Sequence, residues 1–174
     1  MDAIVISDYA KGVITQEISS KLVQLARQHN KMIIVDPKPE HRDFYSNATL
    51  ITPNNAEASQ MAGIEDSSDE AVLEMGAKLL KQLNTNVLIT RSEKGMSLFE
   101  KDGSITHIPA KAKEVYSIIG AGDTVVAAIA LASASGASLK EAATLANIAA
   151  GIKVGKIGTA SVSIGEIKKE IENL

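Results

Sequence analysis

Short apolar runs alternate with stretches of helical periodicity through the first half of this chain. Residues 3–7 (Ala-Ile-Val-Ile-Ser) form a run bounded by Asp8, the pattern of a buried strand. Thr15 then offers a helix cap, and Ile18, Leu22, Val23, Leu25 and Ala26 follow at helical spacing. Residues 31–35 make a second buried strand, stopped by Asp36-Pro37. A strand–helix–strand unit of this kind is normally parallel, with a right-handed crossover. Residues 48–51 predict a further strand ending at Thr52-Pro53, then a helix from Asn54 or Asn55 to about Met61. Ser68 caps the next predicted helix, with Val72, Leu73, Met75, Leu79, Leu80 and Leu83 on its inner face. A strand over 86–90 comes next.

The second half reads differently. Asp102-Gly103 lies between the runs 96–100 and 104–108, a strong hairpin signal. An antiparallel hairpin is therefore expected among parallel units. Helices are predicted over 121–134, 138–152 and 163–172, the first two rich in Ala and Gly. The pattern is that of one α/β domain over residues 1–174, without repeats, low-complexity stretches or linkers. The chain opens directly on a buried-type strand, so an edge that should be covered would lack its neighbour. Self-association into a homo-oligomer through that edge is an expectation.

Composition removes several function classes. The 174 residues are 45% hydrophobic and 22% charged, with a net charge of -3. No basic excess points to nucleic acid, and no Lys/Arg run points to a membrane surface. Cysteine is absent, which excludes disulfides and thiolate metal sites. His29, His41 and His107 are scattered too widely for a His-based metal site. No basic segment precedes the first strand and no apolar run approaches the roughly 20 residues of a membrane span, so a cytoplasmic location is expected. Three Tyr, two Phe and no Trp leave a core expected to consist of Ile, Val, Leu, Ala and Met.

Five polar clusters follow predicted strands or open predicted helices. Gly120-Ala121-Gly122 precedes an apolar helix and leads into Asp123-Thr124. Small residues let a ligand approach the backbone, and exposed N–H groups at a helix start attract anions. That suits a phosphoryl group in transfer, with Asp123 accepting the proton of an attacking hydroxyl. The alternative is a tight turn with Asp123 as a cap. Asn54 and Glu57 stand three apart after Thr52-Pro53, able to order Mg²⁺ and its waters around phosphates, or to form a capping box. Thr90-Arg91-Ser92-Glu93-Lys94-Gly95 could contact phosphate or ribose, or simply turn the chain into the hairpin. Asp8 and Lys11, after the first strand, could bind sugar hydroxyls or a sugar phosphate. Lys38, after the second, is placed like a phosphate partner. Each of these could equally be a solvated loop charge. Their shared location favours one ligand site, since open parallel sheets bind ligands beyond the carboxyl ends of their strands.

Together these residues resemble the ribokinase-like (PfkB) carbohydrate kinases. Gly120-Ala121-Gly122-Asp123-Thr124 is similar to the family's second signature. Pro53-Asn54-Asn55-Ala56-Glu57 is similar to its Mg²⁺/phosphate motif, and Thr90–Gly95 to its ATP-site loop. Within the family, four segments resemble the heptose 7-phosphate kinase subgroup. They are Ser7–Gly12, Val35–Lys38, Glu114-Val115-Tyr116, and Leu145-Ala146-Asn147 through Thr159. The resemblance implies a three-layer α/β/α ribokinase-like fold, with ATP and Mg²⁺ as cofactors and a sugar phosphate as substrate. It implies phosphorylation of the anomeric hydroxyl of heptose 7-phosphate, a step toward lipopolysaccharide core precursors. Asp123 would be the base and Gly120, Ala121 and Gly122 the anion hole. Asn54, Glu57, Thr90, Arg91, Glu93 and Gly95 would serve ATP and Mg²⁺, Glu57 acting on the metal through water. Asn147 and Gly151 would lie near the adenine, and Asp8, Lys11 and Lys38 near substrate or phosphate.

Two departures bear on that expectation. Where the family usually carries an Asp that helps hold a monovalent cation, this chain has Ser117, and Ile119 replaces a Thr. Cation activation is thereby left without its usual carboxylate. The resemblance also covers only the C-terminal part of the family's length. The N-terminal strands, the lid and the sugar-binding motif fall outside it, so weak activity of the chain alone is expected. A non-catalytic nucleotide-binding or assembly module, and a kinase for another sugar such as fructose phosphate or ribose, are the competing readings.

Overall fold

A computed structural model describes residues 2–66, 68–111 and 115–173. Strands β1 (Ala3–Ser7), β2 (Met32–Asp36), β3 (Leu50–Ile51) and β4 (Asn86–Thr90) pair in parallel, in chain order. Strands β5 (Met96–Phe99) and β6 (Ile105–Ile108) continue the sheet antiparallel. The hairpin thus sits where Asp102-Gly103 placed it. β1 forms one edge of the six-stranded sheet.

Helices α1 (Gln16–Gln28), α2 (Asn55–Ala62) and α3 (Asp69–Leu83) connect the parallel strands. Parallel neighbours added in one direction by crossovers of one hand put all the connecting helices on one face. That face holds Ile6, Ile33, Val35, Ile51, Val87, Ile89 and Phe99 against Val23, Ala26, Met75 and Leu79. The opposite face must be covered by the C-terminal segment, and helices α4 (Ala121–Ala134) and α5 (Leu139–Val154) do this, with α6 (Ile164–Glu172) packing against α5. Ile34, Leu50, Leu88 and Leu98 pack there against Val125, Ile129, Ala142, Ala146 and Ala149. Alternate residues of β2 and β4 feed opposite cores, the two-residue period of a strand covered on both sides. The result is the expected α/β/α sandwich.

Thr15 and Ser68 cap their helices, accepting the Ile18 and Ala71 N–H groups at 3.2 and 3.1 Å. Two features went beyond the sequence pattern. Pro39–Tyr45 forms 3-10 turns between β2 and β3. The core is also not purely aliphatic, because Tyr45 and Phe99 are among its largest fully buried side chains. Phe99 fits because α3 carries Gly76 opposite it, where a Cβ would collide with the ring. Tyr45 fits because its hydroxyl finds partners inside.

Candidate functional site

The carboxyl ends of β2–β4 and the N-terminus of α4 open onto one cleft of about 170 Å³. Of the residues singled out in the sequence, Lys38, Asn54, Glu57 and Thr90 line it from the strand ends, and Gly120, Gly122 and Asp123 from α4. Asp36 and Thr52 join them, neither of which was assigned a role. Asp36 could have been flagged as an ionisable group ending a central strand.

Each wall has a local cause. Asn54 caps α2 by accepting the Glu57 N–H at 2.9 Å, and Glu57 accepts the Asn54 N–H at 3.0 Å. The capping box therefore forms, but it uses only one oxygen of Glu57. The other accepts from Lys38 Nζ at 2.5 Å. This ion pair holds Lys38 at the cleft, and the Glu57 carboxylate is the main reason that the Lys38 ammonium is held above its usual value. Asp36 stands in the same cleft. Burial and then the Glu57 charge push its carboxyl up to about 6, while Lys38 pulls the other way.

Behind Lys38 lies a buried polar cluster. Asp8 is 1% exposed and accepts from Tyr45 Oη at 2.7 Å, His41 Nδ1 at 2.7 Å and the Ala10 N–H at 2.8 Å. A carboxylate only accepts, so His41 Nδ1 carries the proton. Burial pushes the Asp8 carboxyl up, but the bonds from Tyr45, His41 and Ala10 outweigh it and hold it below the usual value. Tyr45 Oη in turn accepts the Lys38 N–H at 3.0 Å, and burial pushes its own ionisation far up. Asp8 is thus not a solvated loop charge: it anchors the turns around Lys38. Lys11 is exposed.

The α4 side is more open. Gly120, at φ +77, is the N-cap, a left-handed position that glycine adopts readily. The Ala121 N–H is engaged with Ile118 O at 3.1 Å, so it is turned into the loop. The Gly122 and Asp123 N–H groups, first-turn positions of α4, have no intrahelical acceptor. Asp123 is exposed, with a long contact of 3.4 Å from Tyr9 Oη. A Cβ added to Gly122 would meet nothing within 4 Å, so open space lies before the helix terminus.

Other sequence-predicted residues are engaged in structure. Arg91 pairs with Asp69 and reaches Ser97 Oγ at 3.3 Å. Gly95 has φ +84, and a Cβ there would collide with Ile108 O, so the turn demands glycine. Glu93 is exposed in the same turn. Buried Asn147 donates to Pro109 O at 2.7 Å, fastening α5 to the end of β6, and Gly151 lies one turn further along α5. Neither lines the cleft described above. Glu114 lies outside the described residues. Lys153 was not singled out, yet it is 3% exposed and continues the stripe Ala142–Ala146–Ala149 of α5. A lysine on an apolar helical stripe was the available signal.

The donors suit a phosphorylated ligand: an ammonium, an amide and a helix N-terminus face one opening. Among the described residues no three His, Cys, Asp or Glu side chains converge to hold a metal directly. The residues therefore fit a Mg²⁺ ion carried on phosphates rather than one caged by the protein. Among the described residues, no helix is long and apolar enough to cross a membrane.

Comparison with known proteins gives the same direction. The pattern of the pfkB family carbohydrate kinases matches residues 1–165. The bifunctional protein HldE of Paramagnetospirillum magneticum is 49% identical over 157 residues, covering 90% of this chain and 32% of that protein. The HldE of Geobacter metallireducens is 46% identical over 167 residues, covering 95% of this chain and 34% of its own length. The chain thus spans about a third of the length of these curated relatives. Among solved structures, phosphofructokinase-2 from Escherichia coli in complex with potassium superposes with a TM-score of 0.84 at 22% identity. That match covers 97% of this chain and 56% of the other. Arabidopsis thaliana ribokinase complexed with ribose and ATP gives 0.81 at 23% identity, covering 96% and 55%. At these identities the two structures share the fold. By the family pattern and by relatives of nearly half-identical sequence, the chain belongs to the pfkB family of carbohydrate kinases.

Proposed function

We propose that this chain is the ATP-binding and catalytic-base part of a kinase that phosphorylates heptose 7-phosphate at O1. The observation that carries the reading is Asp123 at the N-terminus of α4, facing the cleft that also holds Lys38, Asn54 and Glu57. The attacking sugar oxygen forms a bond to the terminal phosphorus of ATP as the bond to ADP breaks, and Asp123 takes the hydroxyl proton. The Gly122 and Asp123 N–H groups and the α4 dipole face the charge on the transferring group. Lys38 binds phosphate oxygens, and Glu57 holds Lys38 and would orient water around a metal carried on the phosphates. Mg²⁺, when bound, neutralises phosphate charge. Asp8, through Tyr45, fixes the backbone that presents Lys38. Choice of heptose rests on the subgroup motifs at Ser7–Gly12, Val35–Lys38, Glu114-Val115-Tyr116, and Leu145-Ala146-Asn147 through Thr159.

Two measurements test this. Mg-ATP should raise the melting temperature of the chain, and Asp123→Asn should keep that shift. Heptose 7-phosphate should release ADP with the unaltered chain, slowly for the chain alone, and not with Asp123→Asn. Nucleotide binding without turnover on any sugar phosphate would instead favour a non-catalytic module. A thermal shift absent altogether would sink both.

A further inference from the structure

Lys153 is the feature that the mechanism above does not use. Among the described residues no other lysine or arginine is buried. Its Nζ donates to Gly158 O at 2.7 Å. No carboxylate among the described residues lies within ion-pair distance of it. A buried charge with only a carbonyl partner is costly to keep, so its retention calls for a reason.

Its position supplies one. A Cβ built on Gly120 would stand 3.4 Å from Lys153 Cε and 4.0 Å from Asp123 Oδ2. The ammonium stem and the proposed base therefore flank the same residue, the N-cap of α4. The loop before Gly120 is tied to the same end of α5, since the Tyr116 and Ser117 N–H groups donate to Val154 O at 2.7 and 3.1 Å. Lys153 sits in the last turn of α5, where partial negative charge gathers on the helix carbonyls. A carbonyl oxygen directed at a buried positive charge, the Gly158 O on Lys153 Nζ, close to the N-terminus of α4, resembles the surroundings a bare monovalent cation would require. Here the position that carries a family carboxylate is Ser117, and the charge is covalently attached.

We propose that Lys153 is a positioning residue for phosphoryl transfer. Its ammonium is a tethered cation that stands in for a diffusible monovalent ion and holds the Gly120 loop in its anion-binding form. This rests on the kinase reading above. The residues do not fit a monovalent-cation site, and K⁺ has no role to play in this chain.

The test compares KCl with tetramethylammonium chloride at equal ionic strength, using calorimetric titration with Mg-ADP and the melting temperature of the free chain. The unaltered chain should bind Mg-ADP equally in both salts, a comparison that needs no variant. Lys153→Met keeps the length and removes the charge, and should weaken Mg-ADP binding about tenfold, the size expected of a partly buried charge acting at a helix end. Adding Ser117→Asp to Lys153→Met should recover affinity in KCl but not in tetramethylammonium. Tighter binding by the unaltered chain in KCl overturns the proposal. So does a Lys153→Met variant that melts lower yet binds as before, which would mark a purely structural lysine. Failure of the unaltered chain to bind nucleotide in either salt would overturn the kinase reading first and this proposal with it.

Discussion

The two walls of the cleft are built on opposite principles. On the β1–β3 side buried or half-buried charges are engaged: Asp8 by Tyr45, His41 and Ala10, and Lys38 by Glu57, which also closes the α2 cap. On the α4 side Asp123 is exposed with one long contact from Tyr9, and Val115, Tyr116, Ile118 and Ile119 are exposed before it. The engaged wall orders its groups before a ligand arrives, which lowers the entropy cost of binding. The open wall leaves the Asp123 carboxylate unencumbered, as the proposed role of a base requires. Substitutions on the first wall should therefore act mainly through stability, and those on the second mainly through chemistry.

The largest expected effect tests the open wall. Asp123→Asn should lower turnover by about 10²- to 10⁴-fold, the usual contribution of a positioned base. Its urea-unfolding midpoint should stay within the range of an ordinary surface substitution, and a large stability loss would erase the distinction between the walls. Next, Asp8→Ala should destabilise the chain by about 3 kcal/mol in urea titration, because it strands the buried Tyr45 hydroxyl and the His41 N–H. Tyr45→Phe should cost less, since His41 and Ala10 still serve the carboxylate.

Asp36 gives a pH signature for the engaged wall. Its folded value of about 6 lies above the ordinary 3.8, so between those values the folded chain binds more protons than the unfolded one. This group's contribution to stability therefore falls as pH rises from about 4 to about 6, the reverse of ordinary acid denaturation. Asp36→Asn should stabilise the metal-free chain by about 1–2 kcal/mol at pH 7.5, with the gain vanishing below about pH 4. A gain independent of pH would show that the Glu57 charge and burial are not its cause. The smallest effect returns to the open wall. Tyr9→Phe removes the long bond to Asp123 and should change stability by less than about 0.5 kcal/mol by the same urea assay.

Much of the architecture was legible because its causes are local. The strand over 86–90 and the helix over 121–134 appear with those bounds, since apolar period and flanking polar residues set them. The Asp102-Gly103 turn announced the antiparallel hairpin. The 3-10 turns at Pro39–Tyr45 were not legible, because short 3-10 segments lack a repeating apolar period. Nor was the burial of Tyr45, which depends on a carboxylate 37 residues away to satisfy its hydroxyl.

Local pattern and short motifs were enough to settle the strands and α-helices, the family and which polar clusters lie after strands. Each of these depends on residues a few positions apart. Which charges meet was settled by tertiary packing alone. Lys38 finds Glu57 across 19 residues, Asp8 finds His41 across 33, and Lys153 comes to rest beneath Gly120. Such pairings arise when layers of the sandwich close on one another, and no local period encodes them. The loop at Gly120–Thr124 was therefore readable as a candidate phosphate site, while the buried ammonium behind it was not.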